Sequence, residues 1–362
     1  MPTPIVQFGT SRFLQAHADL FISEALKTGA APGPITVVQT TGSKERSGRL
    51  AALTRPEGFP IVIRGLLHGA RIDRTERVTS VTRALSTSEN WNEVQQVIAD
   101  EAEILISNTG DTGYQIGGDD RATEIPRSFP GKLLLLLKAR FNISRRPLTI
   151  LPCELVSRNG DVLKALMLRL AAERIEDAAY ARWLDEAVVW ANTLVDRIVS
   201  EPLEPAGAIA EPYALWAIEN QPGLQLPCLH PSVKLVDDLT PHEKLKLHIL
   251  NLGHTVLADI WLKQGRDGDE TVREILADAT VAARLDAIYR TEVLPAFSAR
   301  HLESEAADYV AATLERFRNP FLNHRISDIA NHHQEKIERR IRGLQRWSPG
   351  VPMPKLMAIA DQ

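Results

Sequence analysis

The sequence predicts an α/β protein, with a doubly wound parallel sheet in its N-terminal part and an all-α domain after it. Short apolar runs alternate with amphipathic helical stretches through the first half of the chain, which is the order typical of a parallel sheet with crossover helices. A glycine turn follows the first apolar run. From Pro241 to Trp347 nearly every window has the helical periodicity of about 3.6 residues.

Composition places the chain among ordinary globular proteins. Of its 362 residues, 44% are hydrophobic and 24% are charged, and the formal net charge is −4. Two domains are typical of this length, and the weak negative charge offers no general attraction to nucleic acid or to an anionic membrane. The apolar run from Leu133 to Leu137 is far too short to cross a bilayer, and the N-terminus lacks the order of a secretion signal. We expect a cytoplasmic protein.

The two cysteines, Cys153 and Cys228, agree with a reducing compartment. Two cysteines without paired spacing make neither a disulfide framework nor a cysteine-rich zinc site. We expect both to be buried and inert.

The first elements are typical of a dinucleotide-binding unit. A strand PIVQFG ends on Gly9, an amphipathic helix is predicted from Phe13 to Lys27, and a second strand from Ile35 to Thr40. In such units the turn and the helix N-terminus face a pyrophosphate. Ser11 stands where the fingerprint has its second glycine, and its hydroxyl and Arg12 could each contact a phosphate. Any βα unit of an unrelated protein remains the alternative.

Later apolar runs continue the sheet. GFPIVIRGLL, ILISNT and LTILPCE are predicted strands, and polar residues at their ends, Asn108, Thr109, Asp111 and Glu154, would face the ligand crevice of a Rossmann-like sheet. NTLVDRIV, EPYALWAIE and VKLVDD are three further strand-like runs. We therefore expect residues 1–240 to form a Rossmann-like dinucleotide-binding domain and residues 241–362 a helical domain for substrate and catalysis. The tail SPGVPMPKLMAIADQ is predicted to be loosely held.

The helix KLHILNLGH carries the residues that we single out for chemistry. In an α-helix Asn251 lies about 140° around from Lys246 and His254 about 80° from it, so the long lysine and both partners can reach one group. A neutral lysine can accept a proton, a carboxamide can donate to the oxygen left behind, and an imidazole can orient a hydroxyl. The pattern thus indicates alcohol oxidation. The alternative is an amphipathic helix with a leucine-rich core face.

Six motifs in one order carry a resemblance to a known family: QFGTSRFLQA, SNTGDTGY, PCELVSRNGD, NTLVDRIV, VDDLTPHEKLKLHILNLGHT and RFRNPFLNHR, from residue 7 to residue 325. The chain resembles the polyol-specific long-chain dehydrogenases, the mannitol dehydrogenase family, and most nearly the tagaturonate reductases (altronate oxidoreductases) within it. Members resemble one another in a G-x-G-x-F turn and a longer helical domain. Here Ser11 replaces the second glycine and the helical domain is shorter, so we expect part of the substrate-covering wall to be absent or rebuilt.

The resemblance implies hydride transfer, without a metal ion, between a nicotinamide cofactor and a secondary alcohol. It implies Lys246 as general base, Asn192 and Asn251 as oxyanion donors, and His254 as the residue that positions substrate. Glu243 matches the family's proton-relay carboxylate. The cofactor would be held by Gly9, Ser11, Arg12, Phe13, Asn108 and Thr109.

Such a base must be neutral, and free lysine has a pKa of about 10.4. Burial and a nearby NAD⁺ ring would lower the pKa of Lys246, whereas an ionised Glu243 close to it would raise that pKa. A relay role therefore suits Glu243 best if its carboxylate points away from the lysine.

Other dehydrogenase designs fit the sequence less well. No tyrosine has a lysine four residues later, and the adjacent pair His332 and His333 lacks the one-turn spacing of zinc ligands. His242 and His248 are predicted to lie on a helix surface. A non-catalytic nucleotide-binding protein is the alternative from another class, and its best support is the basic run Arg339–Arg346.

The choice between NAD and NADP is open from the residues alone. NAD specificity usually depends on an acidic residue at the end of the second strand, where this sequence has Gln39, Thr40 and Thr41, with Lys44 and Arg46 just beyond. The resemblance favours NAD.

The predicted substrate is an acyclic polyol. A sugar-acid carboxylate needs a cation, which Arg316, Arg318 or Arg325 could supply beside Asn319 and His324, although these arginines could equally pair with carboxylates of the chain. A neutral polyol needs only hydrogen bonds. We favour oxidation of altritol to tagatose, with mannitol or arabitol possible, and keep a hexuronate reductase acting on tagaturonate or fructuronate as the alternative. We expect a monomer or a small homo-oligomer.

Overall fold

The computed structural model describes residues 2–41, 47–110, 113–116, 120 and 124–361. The chain divides into two compact units. The first comprises the residues up to Val62, Thr75–Ala210 and Ala214–Leu239. The second comprises the residues from Thr240 onward together with two inserts from the earlier chain, Ile63–Arg74 and Glu211–Tyr213.

The strands follow one another in the order β1 (Ile5–Phe8), β2 (Ile35–Gln39), β3 (Phe59–Leu67), β4 (Ala70–Val78), β5 (Val81–Ser86), β6 (Ile104–Ser107), β7 (Leu148–Pro152), β8 (Val188–Trp190), β9 (Thr193–Asp196), β10 (Val199–Pro202), β11 (Ala208–Ala210), β12 (Leu215–Glu219) and β13 (Val233–Val236).

The α-helices of the first unit are α1 (Arg12–Leu14), α2 (Leu20–Leu26), α3 (Ser47–Leu53), α4 (Trp91–Gln96), α5 (Phe129–Ile143), α6 (Asn159–Arg174) and α7 (Ala178–Glu186). Those of the second unit are α8 (Thr240–Leu245), α9 (Leu252–Gln264), α10 (Val272–Ile275), α11 (Ala279–Ile288), α12 (Leu294–Ser298), α13 (Glu303–Phe317), α14 (Ile326–Ala330), α15 (His333–Ile337), α16 (Gly343–Trp347) and α17 (Pro354–Ala360).

Six parallel strands form the main sheet, in the order β5-β2-β1-β6-β7-β8. Every residue of β1, β2, β6 and β7 is buried, because helices cover both faces of a doubly wound sheet and leave no solvated side. The predicted fold class is confirmed. The strand order changes direction at β1, which has β2 on one side and β6 on the other. Such a switch point is where these sheets open a ligand crevice.

One predicted strand lies elsewhere than in the main sheet. GFPIVIRGLL forms β3, but β3 belongs to a smaller sheet of order β10-β11-β3-β4. One edge of the main sheet is β5, which we did not predict. The side chains of β3 alternate between buried and partly exposed positions along most of its length. Such alternation is typical of a strand with one solvated face, and the interior of a parallel sheet does not show it.

The three strand-like runs near the end of the first unit supply β9, β12 and β13. They form a sheet of order β13-β12-β9, in which β12 is parallel to β13 and antiparallel to β9. Trp216, the second residue of β12, is fully buried.

The helices of the second unit surround one apolar core. The prediction of a loosely held tail is wrong, because α17 places Leu356 and Ile359 in this core at 0% and 1% exposure. The buried Glu292 carboxylate accepts the amides of Lys355 and Leu356 at 2.8 and 2.9 Å, which satisfies donors at the start of α17. Within the described chain no helix is long and apolar enough to span a bilayer.

Candidate functional site

Gly9 makes the predicted turn at the switch point of the main sheet. Its φ is +113°, and a Cβ at this position would lie 2.5 Å from the Asn108 carbonyl oxygen. Its amide donates to Val38 at 3.1 Å, and the Asn108 amide donates to Phe8 at 3.0 Å, so β1, β2 and β6 end side by side here. Only glycine combines this φ with so close an approach of neighbouring backbone.

The residues after Gly9 begin a helix. Ser11 caps α1, because its hydroxyl accepts the Leu14 amide at 3.2 Å. The Phe13 ring stacks on the His17 ring with centroids 4.7 Å apart. Arg12 donates to the carbonyls of Leu203 and Gly207 at 2.8 and 3.1 Å, and the structure therefore gives this guanidinium a role inside its own unit.

Asn108 and Thr109 follow β6 at the same edge. The Asn108 carboxamide donates to the Cys153 carbonyl at 2.8 Å. Thr109 donates from its amide and its hydroxyl to Glu154 at 3.1 and 3.0 Å, and Ser107 donates to the other carboxylate oxygen at 3.0 Å. Burial raises the pKa of Glu154, and these hydrogen bonds offset part of the rise. Glu154 thus ties the ends of β6 and β7 together, and the predicted Asp111 lies outside the described residues.

The residues that bear on the choice between NAD and NADP lie at the end of β2 and just after it. Gln39 and Thr41 are described, and the Gln39 carboxamide donates to the Thr41 carbonyl at 2.5 Å. Lys44 and Arg46, which left NADP open, lie outside the described residues.

The helix that carries Lys246, Asn251 and His254 is not uniformly α-helical. Between α8 and α9 the segment Lys246–Asn251 is a π-helix. Our α-helical spacing placed Asn251 well around the helix from Lys246. Hydrogen bonds in a π-helix join residues five apart, so the π-helical segment brings Asn251 back toward the face of Lys246.

Side chains from other helices support this π-helical segment. The Tyr289 hydroxyl donates to the Ile249 carbonyl at 3.0 Å. Gly253 permits that contact, because a Cβ there would lie 2.0 Å from the Tyr289 hydroxyl. Arg340 donates to the Asn251 carbonyl at 3.0 Å and to the Thr255 hydroxyl at 3.0 Å. Glu243 and Lys246 are both partly buried.

His254 lies in the interior of the helical unit. Its ring packs 4.4 Å from the Phe317 ring and 5.0 Å from the His324 ring. Burial lowers the pKa of His254 well below its usual range, and the positive charges of Arg340, Arg316 and Lys336 lower it further. Burial also lowers the pKa of His324. Both imidazoles are therefore neutral near pH 7, and His254 Nε2 and His324 Nδ1 have no hydrogen-bond partner among the described residues.

Two of the predicted substrate residues have structural partners. Arg316 makes two hydrogen bonds to Glu211, at 3.0 and 2.8 Å, with both side chains almost fully buried. Asn319 donates to the Arg64 carbonyl at 3.2 Å and accepts the Phe321 amide at 3.0 Å. The charge of Arg316 is balanced inside the unit. The exposed Arg325 pairs with Asp269 at 3.1 Å.

Lys336 was not singled out, and Arg340 was noted only as part of the basic run Arg339–Arg346; both lower the pKa of His254. Lys336 Nζ donates to the Ile329 carbonyl at 2.8 Å. Their i, i+4 spacing would place them on one helix face, but nothing in the local sequence indicates that this face points inward.

Most arginines of the basic run Arg339–Arg346, which suggested an interaction surface, have partners within their own unit. Arg342 donates to the Ala360 carbonyl at 2.8 Å, Arg346 pairs with Glu338 at 2.7 Å, and Arg340 reaches the π-helical segment. His248 was predicted to lie on the surface and is instead 1% exposed. Its Nδ1 donates to the Arg340 carbonyl at 2.9 Å, and burial lowers its pKa to about 4.

Asn192, in the first unit, connects β8 to β9 and is 4% exposed. Its Nδ2 donates to Glu219 at 2.7 Å, and its Oδ1 accepts the Asp161 amide at 3.1 Å. Across the described ranges, no group of three or more His, Cys, Asp or Glu side chains is arranged to hold a metal ion.

The match to known families covers most of the chain. Residues 3–227 match the Mannitol dehydrogenase Rossmann domain, and residues 238–348 match the Mannitol dehydrogenase C-terminal domain. The chain belongs to the mannitol dehydrogenase family and is an oxidoreductase of that family, as the six motifs predicted.

Curated relatives and solved structures agree with this assignment. The chain is 31% identical to the altronate oxidoreductase of Halalkalibacterium halodurans, over 94% of this chain and 70% of the relative. It is 30% identical to the altronate oxidoreductase of an Enterobacter species, over 94% and 74%.

The fold is similar to D-sorbitol dehydrogenase in substrate-free form, with a TM-score of 0.83 and 21% identity over 99% of this chain and 80% of the other. It is also similar to Pseudomonas fluorescens mannitol 2-dehydrogenase in a ternary complex with NAD and D-mannitol, with a TM-score of 0.75 and 18% identity over 99% and 78%.

Proposed function

We propose that this protein oxidises a secondary hydroxyl of an acyclic polyol to a ketone, reversibly, with NAD⁺ and without a metal ion. The observation that supports the proposal is the π-helical segment Lys246–Asn251, because its i to i+5 hydrogen bonding favours Lys246 and Asn251 on one face of the helix. His254 follows three residues later in α9. A proton acceptor, an amide donor and a neutral imidazole on one helix are the groups that alcohol oxidation requires.

The first unit suits a dinucleotide. At Gly9 the chain passes too close to the Asn108 carbonyl to admit a Cβ, helix α1 begins three residues later behind its Ser11 cap, and both lie at the switch point of the sheet. We propose Gly9, Ser11, Phe13, Asn108 and Thr109 as the cofactor-binding residues. A nicotinamide cofactor bound by these residues would supply the hydride acceptor for the carbinol carbon. The complex of the mannitol 2-dehydrogenase contains NAD, and we propose the same cofactor here.

In this proposal Lys246 takes the hydroxyl proton as the carbon–hydrogen bond breaks. Asn251 donates to the oxygen as negative charge develops, and the family resemblance makes Asn192 the second donor. Each such donor contributes on the order of 3 kcal/mol to stabilising the transition state. Glu243, in the turn before Lys246, then carries the proton away from the lysine.

The neutral imidazoles favour a polyol as substrate. His254 and His324 each have a buried ring nitrogen without a partner in the part of the chain that the structure describes, and burial lowers both pKa values. A neutral imidazole can donate to one hydroxyl or accept from another. Arg316, one of the three arginines that could have supplied a cation for a carboxylate, already pairs with Glu211. Altritol is the polyol that we favour, with tagatose as its product.

Oxidation of an aldonate such as altronate is the second candidate. Lys336 and Arg340 place positive charge near His254, and a substrate carboxylate would balance it. The two curated relatives are altronate oxidoreductases.

The two candidates are separated by comparing kcat/KM for altritol, mannitol, arabitol, altronate and mannonate with NAD⁺. We expect a polyol to be the best substrate. An aldonate that wins by on the order of a hundredfold, about 2.7 kcal/mol, would show that the site is built around a carboxylate. Binding of NAD⁺ with no NADH produced from any of the five would instead support a non-catalytic protein.

A further inference from the structure

We propose that Glu219 is a positioning residue that holds the Asn192 carboxamide in one orientation, with one N–H directed away from the protein contacts. The inference rests on the proposed function, in which Asn192 donates to the developing alkoxide. It assigns a role to a carboxylate that neither the motifs nor the helix of Lys246 indicated.

The contacts of Asn192 determine which way its amide points. A carboxylate can only accept, so the atom 2.7 Å from Glu219 Oε2 must be the amide nitrogen. A backbone N–H can only donate, so the atom 3.1 Å from the Asp161 amide must be the carbonyl oxygen. The two contacts agree on one orientation and exclude the flipped one. One of the two amide hydrogens remains for a ligand.

Glu219 holds the backbone of the same residue as well. Its amide donates to the Asn192 carbonyl at 3.0 Å, so Glu219 contacts Asn192 through both main chain and side chain. The second oxygen of Glu219 accepts the Leu239 amide at 3.5 Å. Arg158 approaches the carboxylate at 3.4 Å and balances part of its charge.

The Asn159-Gly160 motif, at the start of α6, packs beside Asn192. A Cβ on Gly160 would lie 2.5 Å from the Ala191 carbonyl and 2.8 Å from the Asn192 amide nitrogen, so glycine lets the start of α6 approach Asn192. The Asn159 carboxamide donates to the carbonyls of Pro152 and Thr193 at 2.9 and 3.1 Å. These bonds join β7 to β9 beside Asn192.

A double-mutant cycle in the full chain tests the role of Glu219. We expect Glu219→Ala to lower kcat by on the order of tenfold or more, because a misplaced donor loses transition-state stabilisation, while the KM for NAD⁺ and the Tm stay near wild type. Glu219→Gln still offers an oxygen to Asn192 Nδ2 and should restore kcat to within about threefold of wild type. In an Asn192→Ala background, Glu219→Ala should have little further effect, because both act through one donor.

Asp185→Ala is the matched control, since it removes an exposed carboxylate of the same unit that pairs only with the surface residue Lys164 among its described ion pairs. Equal losses of kcat from Glu219→Ala with and without Asn192 would overturn the proposal, and so would unchanged kcat in the single variant.

A readout independent of activity separates this inference from the proposed function. The side-chain NH₂ signals of Asn192, identified by their loss in Asn192→Ala, should shift in Glu219→Ala and stay in place in Asp185→Ala. If the wild-type protein turns over no substrate and the Asn192 signals still shift in Glu219→Ala, the proposed function is refuted and the positioning contact remains supported. Signals that do not move in Glu219→Ala refute the positioning contact, whatever the activity.

Discussion

Lys246 is the residue on which the proposed chemistry depends, because it supplies the proton acceptor. We expect Lys246→Ala to lower kcat by a factor on the order of 10² or more, with NAD⁺ affinity and Tm near wild type. Lys263→Ala is the control, since Lys263 lies on α9, is 37% exposed and pairs with the buried Asp259. Equal activity in the two variants, or a Lys246→Ala protein that fails to fold, would remove the support for this base.

A second residue-scale prediction concerns Asp19, which is fully buried and whose carboxyl oxygens have no hydrogen-bond partner among the described residues. Burial raises the pKa of Asp19 to about 8, and the Gln7 side chain offsets part of the rise. The folded state therefore keeps a proton that the unfolded state loses above its own pKa of about 4. The contribution of Asp19 to stability is fully present below pH 4 and is lost as the pH rises toward 8.

Asp19→Asn should flatten this part of the stability profile, because an amide does not titrate. The free energy of unfolding of wild type, measured by urea titration from pH 5 to pH 8, should fall relative to Asp19→Asn by up to about 1.4 kcal/mol per pH unit. Parallel profiles for the two proteins would mean that Asp19 is ionised in the folded state throughout this range.

At the scale of single elements, two features depend on close packing. The first is the approach of α6 to the start of β9 across Gly160. We expect Gly160→Ala to lower both stability, by about 1 to 3 kcal/mol, and kcat, because the added Cβ meets backbone atoms that cannot move without shifting Asn192. Gly268→Ala is the control, since a Cβ there meets nothing within 4 Å. A Gly160→Ala enzyme of normal kcat would show that α6 does not position Asn192.

The second feature is α17, which packs into the helical core. Leu356 is 0% exposed and Leu262, on α9, is 46% exposed. The same substitution should therefore have different costs: Leu356→Ala about 2 to 5 kcal/mol through the cavity that it leaves, and Leu262→Ala within about 1 kcal/mol. Chemical denaturation of both variants measures the difference. Similar small losses would indicate that α17 detaches from the core in solution.

At the scale of the whole molecule, family membership carries the expectation of NAD. We predict a higher kcat/KM with NAD⁺ than with NADP⁺ for the best substrate of the panel. A preference of tenfold or more for NADP⁺, about 1.4 kcal/mol, would contradict this prediction. It would also direct attention to Lys44 and Arg46 beyond β2, which have the charge that a 2′-phosphate requires.

The fold class and the family could be predicted from the sequence, because both depend on local patterns. Buried parallel strands appear as apolar runs, helices repeat with their own period, and the six motifs keep their order along the chain. The positions of Gly9 and Asn192 within these motifs were also visible. The alternation along β3 was present in the sequence too, although we interpreted it as a strand of the main sheet.

Only the tertiary structure decided which polar groups meet. Some of these contacts join residues that are far apart in sequence, as in the Glu211–Arg316 pair and the contact of Glu219 with Asn192. Others depend on which side of a helix is buried, as in the approach of Lys336 and Arg340 to His254. Backbone carbonyls of the π-helical segment accept hydrogen bonds from the Tyr289 hydroxyl and the Arg340 guanidinium, which come from other helices. α17 is held by the buried Glu292 and by the core beneath it. Periodicity reports which face of an element is apolar, whereas these contacts depend on which element lies against that face.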